Sequence, residues 1–254
     1  MDRGIMALWY DLAEVDQHAH LHWLHTTCLP ALSALPGYTW VGHYRTIPSR
    51  TGDDRVRLNE CNDPTVGRGT RFLLLLGAPS VDVFFSRREP LVAPGLDPAH
   101  TARHTSERIG SRICIYAEET RLNGPEYARS VTGAAPGPII QFGSFNTPTD
   151  ADALELGVYY RQNRFPAMAR SPGCISTRKL LATVGWARHG ILYEFSSIEQ
   201  RRDNFEQHVE WGADPQIAKA DNPYLWPGRF PTEYVVFAPG APTVAEQIWP
   251  PLTT

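Results

Sequence analysis

The sequence predicts an α+β fold that consists of two successive βαββαβ units. The main observation is an internal repeat: Pro30–Gly37 reads PALSALPG, and Pro166–Gly173, 136 residues further along the chain, reads PAMARSPG. A second observation is that strand-like and helix-like segments follow one another in the same order around both copies. Chance rarely supplies both a motif and a matching order of six elements, so we interpret the chain as a tandem repeat.

Each unit begins with a strand-like stretch, followed by an amphipathic helix that ends at the Pro–Gly pair. The first helix is predicted to begin near Glu14, and a strand follows each Pro–Gly. An apolar strand, a polar helical stretch and a last strand complete each unit. In the first unit, the predicted strand before the first helix is 6–11, and the elements after that helix are 38–46, 71–77, 97–110 and 112–118. In the second unit, the strand before the helix is 141–146, and the elements after it are 174–183, 190–196, 197–212 and 233–239.

These elements predict a first domain at 1–122, a Gly/Pro-rich linker at 123–138 and a second domain at 139–254. The first domain also contains a long polar loop, 46–70, and loops of this length are often functional. A sheet with helices on one face must bury its other face against something. We therefore expect the two sheets to close into one barrel within the chain.

Composition excludes several classes of function. A net charge of -3 offers no basic surface for nucleic acid, and no apolar run approaches the roughly 18 residues of a membrane span. The N-terminus lacks the pattern of a signal peptide. Four cysteines are scattered without the close spacing of a redox or metal motif. We expect a cytoplasmic protein with no disulfide, no nucleic-acid partner and no membrane partner.

Four histidines occur within residues 18–25, on the first predicted helix. At about 100° per residue, His25 lies nearest to the apolar stripe of this helix, with His18 and His22 on the same flank. By the same geometry His20 lies at the opposite edge and Trp23 points away from the stripe. A histidine beside a core suits proton transfer near neutral pH, although an ordinary surface position is the alternative. The predicted stripe consists of Leu21, Leu24, Cys28, Leu32 and Leu35.

Two histidine patterns leave metal binding open. One is His18, His22 and His25, and the other is His100, His104 and Glu107 on the next helix, both at spacings of four and three. Such spacings place imidazoles on one helix face, where they can share a metal ion. Solvated helix faces give the same pattern, so we predict no metal ligand and no cofactor.

The segments WLHTTCLPALSALPG (23–37) and YYRQNRFPAMARSPG (159–173) resemble the signature of the EthD-like group in the dimeric α+β barrel superfamily. The resemblance implies a ferredoxin-like unit that normally pairs into an eight-stranded barrel, here within one chain, and a homodimer of the whole chain stays open. The superfamily includes lactone isomerases, cofactor-free monooxygenases, dehydratases, polyketide cyclases and haem enzymes. A fold with so many activities does not choose the chemistry.

The family histidine falls on Cys28 in the first unit and on Arg164 in the second, so its role cannot be transferred. Pro30 and Pro166 should bend their helices beside these two positions, because a proline within a helix loses a backbone hydrogen bond. We predict a pocket in the first unit, between helix and sheet, closed by the 46–70 loop. Its predicted catalytic residues are His25, His22 and Tyr44, and its predicted substrate-binding residues are Trp9, Tyr10, Cys28, Trp40, Gln141, Arg161 and Arg164.

Several functions fit these residues. The first is a small-molecule enzyme, a lyase, isomerase or dehydratase, that acts on a cyclic or unsaturated carbonyl compound by acid–base catalysis, with Tyr44 or an arginine steadying the oxyanion. The second is a cofactor-free monooxygenase on an aromatic or polyketide substrate. A haem or metal enzyme lacks a clear axial-histidine motif here, and a non-catalytic binding protein remains the last alternative.

Overall fold

The structure is a computed structural model that describes residues 2–48, 59–129, 136–210 and 226–251. Its strands pair in the order β7-β6-β4-β1-β3-β2-β9-β5, and β5 returns to β7, so eight antiparallel strands close a barrel. The expected barrel within one chain is thereby confirmed. The strands are β1 (Gly4–Leu12), β2 (Trp40–Thr46), β3 (Phe72–Ala78), β4 (Arg108–Asn123), β5 (Ile139–Asn146), β6 (Cys174–Val184), β7 (His189–Phe195), β8 (Val236–Phe237) and β9 (Thr243–Trp249).

Each half contributes four neighbouring strands to the barrel, in the orders β4-β1-β3-β2 and β9-β5-β7-β6. Both orders are the same when the strands are numbered within their own unit, which is the ferredoxin-like arrangement. The units meet at two seams, where β4 pairs with β6 and β2 pairs with β9. The predicted linker falls between the end of β4 and the start of β5, and residues 130–135 of it lie outside the described residues.

The helices lie on the outside of the barrel. The first unit contains α1 (Glu14–Trp23), α2 (Leu29–Ser33), α3 (Asp82–Phe85) and α4 (Pro98–Ser106), and the second contains α5 (Asp150–Tyr159), α6 (Phe165–Met168) and α7 (Ile198–Gln200). Three π-helical segments join or extend them, Leu24–Cys28, Tyr160–Arg164 and Arg201–Glu210. No helix among the described ranges is long and apolar enough to cross a membrane.

Both units interrupt the first helix with a π turn just before the proline, at the same offset of 136 residues. The backbone N–H of Leu29 donates to the carbonyl of Leu24, and that of Phe165 donates to Tyr160, both five residues earlier. Pro30 and Pro166 have no N–H for the usual bond, and the wider turn accommodates this loss. The predicted irregularity beside Cys28 and Arg164 is confirmed.

The last strand of the second unit is not where the sequence predicted it. Residues 233–239 form only the two-residue strand β8, whereas the strand that completes the barrel is β9. Pro239 and Pro242 follow β8 closely, and a proline cannot donate to a strand ladder. The chain therefore turns after Phe237 and pairs again from Thr243 onward.

The barrel divides the apolar residues into an inner core and outer layers beneath the helices. Consecutive strand residues point to opposite faces, so Trp9 lies within the barrel while Tyr10 lies beneath the helices of the first unit. The described end of the 46–70 loop packs at the barrel end, where Arg112 donates to the carbonyls of Gly67 and Gly69. Residues 49–58 of that loop lie outside the described residues, and so does any closure by them over a pocket.

A buried ionic network joins the two units beside the β4–β6 seam. Asp2 accepts from Arg178 Nη1 at 2.7 Å and from Arg121 Nη2 at 2.9 Å, and Arg178 Nε donates to Glu194 at 2.9 Å. Burial alone would raise the pKa of Asp2, but Arg178, a hydrogen bond from Trp40 and Arg121 lower it to about 2.

We predict that Asp2→Asn lowers the free energy of unfolding at pH 7 by about 1–2 kcal/mol, because the ionised form of Asp2 is the one that the folded state favours. A carboxyl with a lowered pKa contributes above its unfolded value near 3.8 and loses that contribution as the pH falls toward 2. Urea denaturation at pH 7 and pH 3 measures the effect. The exposed Glu89→Gln is the control, and equal stability of the two variants would contradict the prediction.

Candidate functional site

A chain of hydrogen bonds runs through the outer layer of the first unit. Tyr10 Oη lies 3.0 Å from His43 Nε2, and His43 Nδ1 lies 2.8 Å from His25 Nε2. Tyr10 and His43 are fully buried, whereas His25 is half-buried. The chain therefore leads from the protein interior to a histidine at the edge of the layer.

Three elements position these side chains. Tyr10 comes from β1 and His43 from β2, each on the strand face that packs beneath the helices. His25 lies within the π turn, where the additional residue per turn changes which side chains face the sheet. The rings pack closely, since Tyr10 and His43 stack with centroids 5.9 Å apart and His43 stacks on Phe72 at 5.6 Å.

The surroundings keep this chain uncharged. Burial lowers the pKa of His43 well below its usual range, and the nearby His25, Arg108 and His20 add to the shift. Burial also lowers the pKa of His25. The pKa of Tyr10 is raised by burial, although the Arg108 guanidinium, 5.3 Å from its ring centre, opposes the shift. At neutral pH the hydrogen-bonded chain of Tyr10, His43 and His25, hereafter the relay, therefore consists of two neutral imidazoles and a phenol.

The structure brings together only some of the residues predicted for the pocket. Tyr10, Cys28 and His25 lie in the outer layer of the first unit, as expected. Trp9, Trp40 and Tyr44 lie inside the barrel, on the other face of the sheet. They are held by hydrogen bonds of their own: Trp9 Nε1 donates to Thr243, Trp40 Nε1 to Asp2, and Tyr44 Oη to the carbonyl of Pro136.

The predicted polar residues of the second unit lie far from this layer in the fold. Gln141 accepts two hydrogen bonds from Arg201, at 2.9 and 2.5 Å, beneath the helices of the second unit. Arg164 is buried and donates to Tyr159 Oη at 2.6 Å. Arg161 is exposed and lines an open groove of about 520 Å³ with Lys179. The two arginines therefore do not face one ligand.

The remaining predicted residues take simple positions. Cys28 is buried in the apolar layer, and burial raises the pKa of its thiol to about 11. It is a thiol rather than a thiolate at neutral pH, as expected of a small hydrophobic residue. His22 is exposed on the outer face of α1.

The predicted orientations of His20 and Trp23 are wrong. Both are buried, because α1 packs against the sheet and also against α4. His20 Nδ1 lies 3.2 Å from Glu107 Oε2, and Trp23 stacks on His104 with ring centres 4.4 Å apart. A helix covered on two sides has a wider buried face than the single stripe assumed from the sequence.

Two residues of this layer were missed from the sequence. His43 lies in WVGHYRT, where alternation places it on the face of Val41 and opposite to Trp40 and Tyr44. That alternation was a usable signal, since a histidine on a helix-facing strand position is unusual. Arg108 is the first residue of β4, and no sequence pattern connected it with Tyr10.

Comparisons with known proteins show the fold. No family model matches the chain, and no curated protein matches it by sequence. An anthrone oxidase-like protein of known structure aligns with a TM-score of 0.52 at 9% identity, covering 96% of this chain and 90% of that protein. A provisionally assigned chlorite dismutase aligns with a TM-score of 0.50 at 13% identity, covering 97% and 95%. At these identities the chain shares with them its α+β barrel architecture.

Proposed function

We propose that this protein is a small-molecule enzyme in which His25 transfers a proton to or from a cyclic or unsaturated carbonyl compound. The reaction class is that of a lyase, isomerase or dehydratase. The observation that carries the proposal is the hydrogen-bonded chain from Tyr10 through His43 to His25. Membership of this protein in the EthD-like group is part of the same proposal and rests on the repeated P-A-[L/M]-x-x-x-P-G motif.

The hydrogen-bonded chain of Tyr10, His43 and His25 has two neutral tautomeric arrangements. When Tyr10 donates to His43 Nε2, His43 donates to His25 Nε2, and His25 then carries its proton on Nδ1, which can donate a hydrogen bond to a carbonyl oxygen. When His25 donates from Nε2, His43 donates to Tyr10, and His25 Nδ1 has a free lone pair that can act as a base. Neither arrangement places a charge on the buried His43. An isomerase or dehydratase needs a base and then an acid: in the second arrangement His25 Nδ1 takes the proton, and the imidazolium so formed returns it.

Other residues of the layer support proton transfer over nucleophilic catalysis. Cys28 lies near His25 in the sequence, but its raised pKa leaves too little thiolate for attack at neutral pH. Tyr44 is on the opposite face of the sheet, so its position gives no support to a role in steadying an oxyanion beside His25. Localisation in the cytoplasm and pairing into a homodimer also remain proposals.

The alternative is a cofactor-free monooxygenase on an aromatic or polyketide substrate. It is favoured by the alignment with an anthrone oxidase-like protein. In that reaction a neutral histidine such as His25 would remove a proton from a phenol or an activated carbon before oxygen reacts. The two candidates share the base and differ in whether oxygen is consumed.

We predict that the wild-type protein exchanges an acidic C–H hydrogen of its substrate with deuterium from D2O, and that His25→Ala slows this exchange by about 10²- to 10⁴-fold, the usual contribution of a general acid or base. Proton NMR of a panel of unsaturated lactones, cyclic enones and hydroxylated anthrones measures the exchange, and an oxygen electrode separates the monooxygenase. The control is His18→Ala, which removes an exposed histidine from the same helix. Equal rates for both variants would remove His25 from the mechanism.

We also predict that the acid limb of the pH–rate profile lies below pH 6.5. A lowered pKa keeps His25 neutral, and hence active as a base, at pH values where an ordinary imidazole is already protonated. Rates of exchange between pH 5 and pH 8 test this, and circular dichroism over the same range checks that the fold persists. An acid limb at or above pH 7 would contradict the assignment.

A further inference from the structure

A second cluster of histidines lies behind the proposed relay, between α1 and α4. Here we propose that His20, His104 and Glu107 bind a divalent transition-metal cation of the Zn²⁺ class. Each residue offers one ligand atom, and the three atoms lie within 4.8 Å of one another. This site differs from both histidine patterns of the sequence. It combines His104 and Glu107, from the second pattern, with His20, which belongs to neither pattern. It does not depend on the proposed function.

The distances fit a small cation. Glu107 Oε2 lies 3.2 Å from His20 Nδ1 and 2.6 Å from His104 Nδ1. Ligand atoms about 2.0–2.1 Å from a tetrahedral zinc ion are separated by about 3.3 Å. Glu107 Oε2 and His104 Nδ1 would need to move apart by about 0.7 Å to reach this separation, whereas Glu107 Oε2 and His20 Nδ1 are already close to it. Two imidazoles and a carboxylate suit Zn²⁺, Co²⁺ or Ni²⁺ better than Mg²⁺ or Ca²⁺, which prefer oxygen ligands.

Burial supplies an independent reason. His20 is 0% and His104 is 3% exposed. A metal ion would give the fully buried imidazole a strong interaction that its present contacts supply only in part.

The surroundings hold the ligands as a second layer of a metal site does. His100 Nε2 lies 3.0 Å from His104 Nε2, so it fixes which nitrogen of His104 faces Glu107. Arg103 donates to Glu107 Oε1 at 3.1 Å and leaves Oε2 toward the two histidines. Such contacts orient ligands and set the tautomers of histidines at metal sites. The guanidinium groups of Arg103, which contacts Glu107, and of Arg108, near His20, both oppose the binding of a cation here.

The test uses the full-length protein after dialysis against a chelator. We expect Zn²⁺ to bind with a stoichiometry of one in calorimetry, and Co²⁺ to give a visible absorption band of low-symmetry coordination. Because a ligand that binds only the folded state stabilises it, a Zn²⁺ concentration of 100 times Kd should raise Tm by about 5–10 °C.

Variants separate this site from exposed histidines. Glu107→Gln, on a partly exposed residue, and His104→Gln should each weaken Zn²⁺ binding at least about tenfold. His18→Gln and His22→Gln, on the exposed face of the same helix, should bind like the wild type. Circular dichroism verifies folding of every variant. Absence of Zn²⁺ binding by the wild type, unchanged binding by Glu107→Gln, or loss of binding in His22→Gln would each overturn the proposal.

Discussion

Closure of the barrel is the constraint on which the other features depend. Each unit alone would expose one face of its sheet, and the seams at β4–β6 and β2–β9 turn both exposed faces into one interior. Arg178, which is bound by Asp2 of the first unit and Glu194 of the second, holds this arrangement beside one seam. Because the interior is filled with side chains, the helix-covered outer layers are where the units can differ in chemistry.

The two outer layers share a backbone and differ in their side chains. Both carry the π turn before a proline, and the same positions hold His25 and Cys28 in one unit and Arg161 and Arg164 in the other. The first unit thus has a half-buried histidine and a buried thiol where the second has two arginines. In the second, arginine side chains form fixed contacts, as Arg164 does with Tyr159. The backbone arrangement that both units share thus supports the proposed proton-transfer site in the first unit alone.

Much of the fold could be predicted from the sequence, because strand order and the proline-interrupted helix leave local patterns. The fourth barrel strand of the second unit could not be predicted, because a short apolar run precedes it and two prolines separate that run from the strand. The site was only partly predictable. His25 follows from helical periodicity, whereas His43 depends on which face of a strand is covered by helices when both faces are buried. His20 was misplaced because the contact between α1 and α4 is a tertiary one.

The electrostatics around Tyr10, His43 and His25 keep these three groups neutral. Burial pushes the pKa values of His43 and His25 down and that of Tyr10 up, so each group is driven toward its neutral form. A low-dielectric layer penalises charge, so the hydrogen bonds of this chain join neutral groups. His25 can therefore present either an N–H or a lone pair on Nδ1 while His43 and Tyr10 stay neutral. This neutrality is what the proposed role of His25 requires, because a base must be unprotonated to take a proton.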